Sequence, residues 1–368
     1  MITGSMHDIM LDVYSDKPAG IAPVGIYSRY LPRGSAEREI REKGFGIIDY
    51  YPVVSLLAPP WHMYQGFISE VRNVDVSVAY RWDGDVLTER RTYSTPVGEI
   101  WQDVSKDIGA GSEFIGKYFI KSTEDYKIMQ YLVENTVFRR NESDIRSKMD
   151  DLGDDGVVLG RMDRSPYQKL LIELAGAERF LMDLYTDPDP VTELMDSMDK
   201  RMDEMFTMAL ESDVEVIWQP DNVTFDMTPP GNYKEYLLPF YNKHGAECRN
   251  AGKPYIVHMD GRLKKLEDMI NASSFDVLES MSLPQISGDY TLRSAQETFT
   301  GKVILPNFPA NMCYDPNNDI RGFMSDLLSQ ALPGHPFMLQ VSEDIPVSSW
   351  KRVIGVLSDF MRMQGDNV

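Results

Sequence analysis

The chain has 368 residues, with 37 Lys and Arg against 57 Asp and Glu, a formal net charge of -20. So acidic a surface repels nucleic acid and anionic membranes, and neither is expected as a partner. Two cysteines, Cys248 and Cys313, are too few for a disulfide framework or a cysteine-rich zinc site. No apolar run reaches membrane-spanning length and the N-terminus lacks a signal pattern, so a cytoplasmic location is the expectation.

Taken in order, the chain alternates short apolar runs with helical patterns. Ile21–Tyr27 reads as a first strand, followed by a charged helix over Ser35–Lys43 that Gly44 closes. Phe45–Tyr51 is a second strand. The stretches Phe67–Trp82 and Val86–Ile100 then alternate, with Asp83-Gly84 between them, and predict an antiparallel insertion of two or more strands, a hairpin region over about 67–100 ending in Thr95-Pro96-Val97-Gly98. Ser122, with Asp125 three residues on, predicts a helix start. Gly156–Gly160 is a third core strand. Helical patterns follow around Gln168–Tyr185 and Pro190–Ser212. Further strands are predicted at Val214–Gln219, Pro254–His258, Phe275–Glu279, Lys302–Asn307 and Pro336–Val341, with a last helix over Val347–Met363.

Strands alternating with helices imply a parallel sheet. Eight such units at this length imply an α/β fold of the (β/α)8 TIM-barrel type, expected as a single domain over 1–368 carrying the hairpin insertion. No Gly-rich dinucleotide or phosphate-binding fingerprint follows any of the strands.

In such barrels chemistry sits at the C-terminal strand ends. Those ends carry Asp221, His258 with Asp260, Glu279, Asn307, and Glu343 with Asp344. His258 and Asp260 are two residues apart on an extended chain and share a face. An imidazole beside a carboxylate can bind a divalent metal, or act as a base with its orienting acid. Each residue also has a structural reading. Asp260 could cap the following helix and His258 could be a satisfied core histidine. Asp221 suits a turn, Glu279 could pair with a cation, and Glu343 and Asp344 could be helix-start charges. Several carboxylates around one mouth are costly unless a cation relieves them. Zinc is the first expectation, and manganese or iron would also suit an oxygen-rich set.

The run from Trp218 onward resembles the uroporphyrinogen decarboxylase superfamily, in particular its zinc- and corrinoid-linked methyltransferase branch. The resemblance rests on Trp218–Asn222, Tyr233–Pro239, Gly252–Gly261 and Val341–Pro346, with looser likeness at Thr95–Gly98 and Lys121–Tyr126. Thiol-methylating members hold zinc with a His-x-Cys pair and a distant cysteine. By the resemblance, His258 matches the histidine, Asp260 stands at the first cysteine and Glu343 at the second. Carboxylates in place of thiolates give a harder, more electrophilic metal, suited to an ether or phenolate oxygen rather than a thiol. The resemblance therefore implies a cobamide-dependent methyltransferase. It would move a methyl group from a small O-methylated donor, such as a methoxyaromatic, to the cobalt of a separate corrinoid protein. The metal ligands would be His258, Asp260 and Glu343, with Glu279 as substitute or supporting group and Asp221 orienting His258 or the substrate. The alternatives are a metal-free, decarboxylase-like lyase and a noncatalytic barrel used for binding.

Overall fold

The computed structural model describes residues 4–52, 69–107, 112–138 and 142–365. The chain folds as two compact units. One comprises Met1–Tyr51, Ser143–Arg161 and Asp213–Val368; the other comprises Pro52–Glu142 and Met162–Ser212. Among the described residues, no helix is long and apolar enough to cross a membrane.

The first unit is built on eight parallel strands: β1 Val24–Tyr27, β2 Gly46–Pro52, β3 Gly156–Arg161, β4 Val216–Val223, β5 Tyr255–Met259, β6 Val277–Met281, β7 Val303–Pro306 and β8 Leu339–Val341. Their order around the sheet is β7-β6-β5-β4-β3-β2-β1-β8. Asn307, just past β7, bridges Gln340 of β8 in parallel, and the Phe308 N–H donates to the Gln340 carbonyl at 2.7 Å, so the two ends of the sheet meet. All eight anticipated strands are present, in the TIM-barrel arrangement. Their runs of Val, Ile and Leu lack polar alternation because both faces of such a strand are covered. β1, β3, β6, β7 and β8 are buried along their whole length.

Close approach at the wall of this barrel explains Gly156 at the start of β3. A Cβ there would lie 1.9 Å from the Ile47 carbonyl oxygen of β2.

The second unit departs from the expected hairpin. It holds a four-stranded antiparallel sheet, Asp75–Asp83, Val86–Thr95, Gly98–Asp107 and Ser112–Lys117, in that spatial order. The Asp83-Gly84 turn is as anticipated, with Asp83 paired to Val86. What read as one strand over Val86–Ile100 breaks at Pro96-Val97, and Gly98–Asp107 returns as a further strand. A polar residue at an inward position breaks the apolar alternation of this strand. Gln102 is 1 % exposed, between Ile100 and Val104, and its amide donates to the Glu173 carbonyl. Phe67 and Ile68, the start of the anticipated first hairpin strand, lie outside the described residues. Ser122 and Asp125 form the anticipated capping box on the helix Thr123–Glu134. The pattern read around Gln168–Tyr185 is interrupted: a widened turn at Leu170–Leu174 and Gly176 at φ 77° precede the helix Ala177–Thr186. The next helix starts at Pro188, two residues before the expected Pro190.

Two measurements test this packing. Gly156→Ala is expected to lower the unfolding free energy by roughly 1–3 kcal/mol, because backbone must shift to admit the methyl group; urea titration reads it. Lys302, at the entry to β7, is buried and donates to the carbonyls of Ser273 and Phe275 at 2.7 and 2.8 Å. Burial pushes its pKa down to about 8. Between that value and the ordinary lysine range the unfolded chain holds the extra proton. Stability attributable to this group therefore rises with pH across the window. Lys302→Met is expected to remove that slope in unfolding curves recorded from pH 8 upward.

Candidate active site

Glu279 is the centre of the barrel mouth. It lies near the C-terminal end of β6 and is fully buried. Burying a carboxylate is tolerable only with donors supplied. Here the Tyr27 hydroxyl donates to Oε1, and the Trp218 Nε1–H donates to Oε2 at 3.0 Å. Nδ1 of His258 stands 2.7 Å from the same Oε2. A proton on Nδ1 makes His258 the third donor and leaves the lone pair on Nε2. Sheet register produces this contact: His258 of β5 and Glu279 of β6 are paired residues on adjacent parallel strands. The Tyr27 phenol is pushed well above its ordinary pKa by burial and by the Glu279 charge, so it serves as a fixed donor.

An aromatic wall stands beside the pair. Tyr27 and Tyr50 meet edge-on with centroids 5.6 Å apart, Tyr50 and Trp218 lie 5.1 Å apart, and Trp218 meets the His258 ring at 6.2 Å. These rings and His258 line a cavity of about 520 Å³, together with Arg29, Tyr30, Asp260, Ser342, Glu343 and Asp344. Asn222 and Ser280 line it too, with φ of 60° each. Both sit where the sheet register slips, at the ends of β4 and β6. Non-glycine residues adopt this conformation rarely, and bulges of this kind re-aim side chains at strand ends.

The sequence-derived residues divide accordingly. His258, Asp260 and Glu343 all line this one cavity. Asp260 is not a helix cap. The chain after it turns at Gly261, φ 67°, and forms a short 3-10 turn at Lys264–Leu266 before the helix Glu267–Ala272. Asp289 supplies the cap instead, accepting from the N–H groups of Leu263 and Lys264 at 2.9 and 3.0 Å. Nor are Glu343 and Asp344 helix-start charges, since the last helix begins at Trp350. The Glu343 carboxyl is pushed above the ordinary glutamate value, first by lost hydration and then by the Asp260 carboxylate, while the Asn307 amide at 3.4 Å pulls the other way. Among the described residues the partners of Glu279 are Tyr27, Trp218 and His258, with no lysine or arginine.

Asp221 is not brought to the cavity. It is fully buried, accepts from the Tyr241 hydroxyl at 2.6 Å and from the Gln219 amide at 2.9 Å, and does not line the mouth. Strand alternation accounts for this: Trp218 faces the cavity, so Gln219 and Asp221 face the helices. Tyr27, Tyr50 and Trp218 were not singled out in the sequence. The faint signal was that Tyr27 and Tyr50 fall at or near the C-terminal ends of β1 and β2.

The donor set suits a divalent ion in its chemistry. An imidazole oriented through its second nitrogen by a carboxylate is the usual setting of a histidine ligand, and the mutual repulsion of Asp260 and Glu343 is what a cation relieves. Among the described residues, however, no three His, Cys, Asp or Glu side chains are gathered closely enough to ligate one ion in this arrangement. Glu279→Gln is expected to cost about 1–3 kcal/mol of stability, because the amide nitrogen must face a buried donor. Thermal unfolding measures that loss.

The comparisons with known proteins agree with this barrel. The uroporphyrinogen decarboxylase (URO-D) family model matches residues 168–362. No curated protein matches the chain. Among solved structures, the chain is similar to a methyltransferase from Methanosarcina mazei, with 10% identity over 97% of this chain and 99% of that one and a TM-score of 0.58. A 3-keto-D-glucoside 4-epimerase, YcjR, from E. coli, aligns at 9% identity over 65% of this chain and 93% of that one, with a TM-score of 0.40. With more than half its length matched by the family model and a parallel barrel whose strand ends converge on one cavity, the chain belongs to the uroporphyrinogen decarboxylase family.

Proposed function

We propose that this protein is a methyltransferase that takes a methyl group from a small O-methylated compound, of the methoxyaromatic class, and delivers it to the cobalt of a corrinoid carried by a partner protein. One observation carries the reading. A histidine fixed by a buried carboxylate shares a cavity with three further carboxylates and an aromatic wall. The fold likeness to a protein described as a methyltransferase supports the barrel on which this reading stands.

The aromatic wall of Tyr27, Tyr50 and Trp218 offers stacking and edge contacts to a planar ring. Arg29, also lining the cavity, offers charge complementarity to an anionic substituent on that ring. In the transfer, the methyl carbon–oxygen bond breaks with its electron pair left on oxygen. The methyl group passes to the reduced cobalt of the partner's corrinoid. His258, oriented by Glu279, presents its Nε2 lone pair to the cavity as a fixed ligand, so this part of the site need not reorganise as charge builds on the oxygen.

A divalent ion, zinc first, would be held by His258 with Asp260 and Glu343, and when bound it would supply Lewis-acid stabilisation of the departing oxygen. The absence of cysteine from these positions favours an oxygen over a thiolate as the group addressed.

The test is anaerobic methyl transfer to cob(I)alamin with a panel of O-, N- and S-methyl donors, beside metal analysis of the purified protein. O-methyl donors are expected to react, with about one divalent ion per chain that His258→Ala loses. Glu279→Gln is expected to lower the rate by roughly 10–100-fold while leaving the preferred donor class unchanged. Turnover confined to S-methyl donors, or no transfer from any class by metal-loaded protein, overturns the reading.

A further inference from the structure

Two buried amides at the seam of the barrel are only half satisfied. Gln340 of β8 is fully buried, and Asn307, just past β7, is 3% exposed. The Ser280 N–H donates to Oε1 of Gln340 at 3.0 Å. Nδ2 of Asn307 donates to Oε1 of Glu343 at 3.4 Å. Among the described residues, Nε2 of Gln340 and Oδ1 of Asn307 have no hydrogen-bond partner. One amide thus offers an unused donor and the other an unused acceptor.

Turning an amide over mends neither. Reversing Gln340 would set its NH2 group against the Ser280 N–H, and reversing Asn307 would set its oxygen against the Glu343 carboxylate. The two amides do not bond each other, although they are neighbours. Asn307 and Gln340 are bridged residues on parallel strands, so their side chains leave one face about 5 Å apart. Each reaches a residue that lines the cavity, Glu343 in one case and Ser280 in the other. Neither lines the cavity itself, so both lie behind its lining. A buried donor and a buried acceptor left unmade lose their hydration with nothing in return.

We propose that Gln340 and Asn307 hold one buried water molecule, which accepts from Nε2 of Gln340 and donates to Oδ1 of Asn307. Chemistry selects the ligand. A metal cation cannot accept from an N–H, and a fully ionised anion cannot donate to a carbonyl oxygen. A small neutral molecule that does both is water, and buried waters join polar groups that otherwise lack partners. The water completes a chain of bonds from the Ser280 N–H through Gln340 and Asn307 to Glu343. Bonds in such a chain polarise one another, so the water strengthens the donation to Glu343. It also adds a stitch where one bridged pair and the Phe308 bond join β7 to β8. Its place does not depend on the reaction carried out in the cavity.

The experiment is a high-resolution crystal structure of the full chain beside a mutant cycle in urea. An ordered water is expected within hydrogen-bond distance of both Nε2 of Gln340 and Oδ1 of Asn307. Gln340→Met and Asn307→Leu each remove one partner. Each is expected to lose that water from the map and to lower the folding equilibrium constant about tenfold. Either substitution alone releases the water, so the double variant is expected to lose less than the product of the two single losses, by about threefold or more. A direct bond between the two amides in the wild-type map, or no ordered water between them, overturns the proposal. Losses that simply multiply overturn it equally. If a variant fails to fold, the wild-type map decides alone.

Discussion

A carboxylate buried at the heart of the barrel must be satisfied from several directions at once, and the mouth of this protein is arranged around that demand. Glu279 draws a hydroxyl from β1, an indole N–H from β4 and an imidazole from β5. Each donor arrives from a different strand, so the bonds are possible only when those strands are in register. The same carboxylate therefore ties fold to site. It fixes the tautomer and direction of His258, and it positions two of the three rings of the aromatic wall. Removing one donor leaves a buried charge less well solvated, which is why such clusters change reluctantly.

Around this fixed centre the cavity's other charges are less constrained. Asp260, Glu343 and Asp344 come from the strand ends that follow His258 and Val341, beyond the last ladder bonds. Burial first, and then the neighbouring Asp260 and Asp344 carboxylates, push the Glu343 carboxyl above its ordinary value. An imidazole fixed by a buried carboxylate thus shares the cavity with three carboxylates from neighbouring strand ends. Asn222 and Ser280, held at positive φ on the same rim, place the remaining polar groups at some conformational cost.

Much of this was legible in the sequence, for identifiable reasons. The eight barrel strands announce themselves because both faces of each are buried, leaving short apolar runs between helices. His258 and Asp260 stand out because polar residues of those types are unexpected directly after such a run. The inserted sheet was harder to read. Its strand Gly98–Asp107 buries Gln102 through a bond to a distant carbonyl, and no local pattern predicts a buried amide. Asp221 looked equivalent to the other strand-end acids, yet one residue of pleat turns it toward Tyr241. The aromatic wall was invisible for a related reason. Tyr27, Tyr50 and Trp218 read as ordinary core residues, and only the closing of the barrel sets three separate strands side by side.

The bridge between Asn307 and Gln340 gives the barrel a seam. Most neighbouring strands share ladders of several residues, whereas here a single pair and the adjoining Phe308 bond close the ring. The Asn307 N–H also donates to the Met281 carbonyl of β6, and its side-chain amide donates to Glu343. The place where the cylinder is most thinly stitched is thus joined directly to one of the carboxylates of the mouth. The residue that closes the cylinder also lends its amide to the mouth, so closure of the ring decides what stands beside Glu343.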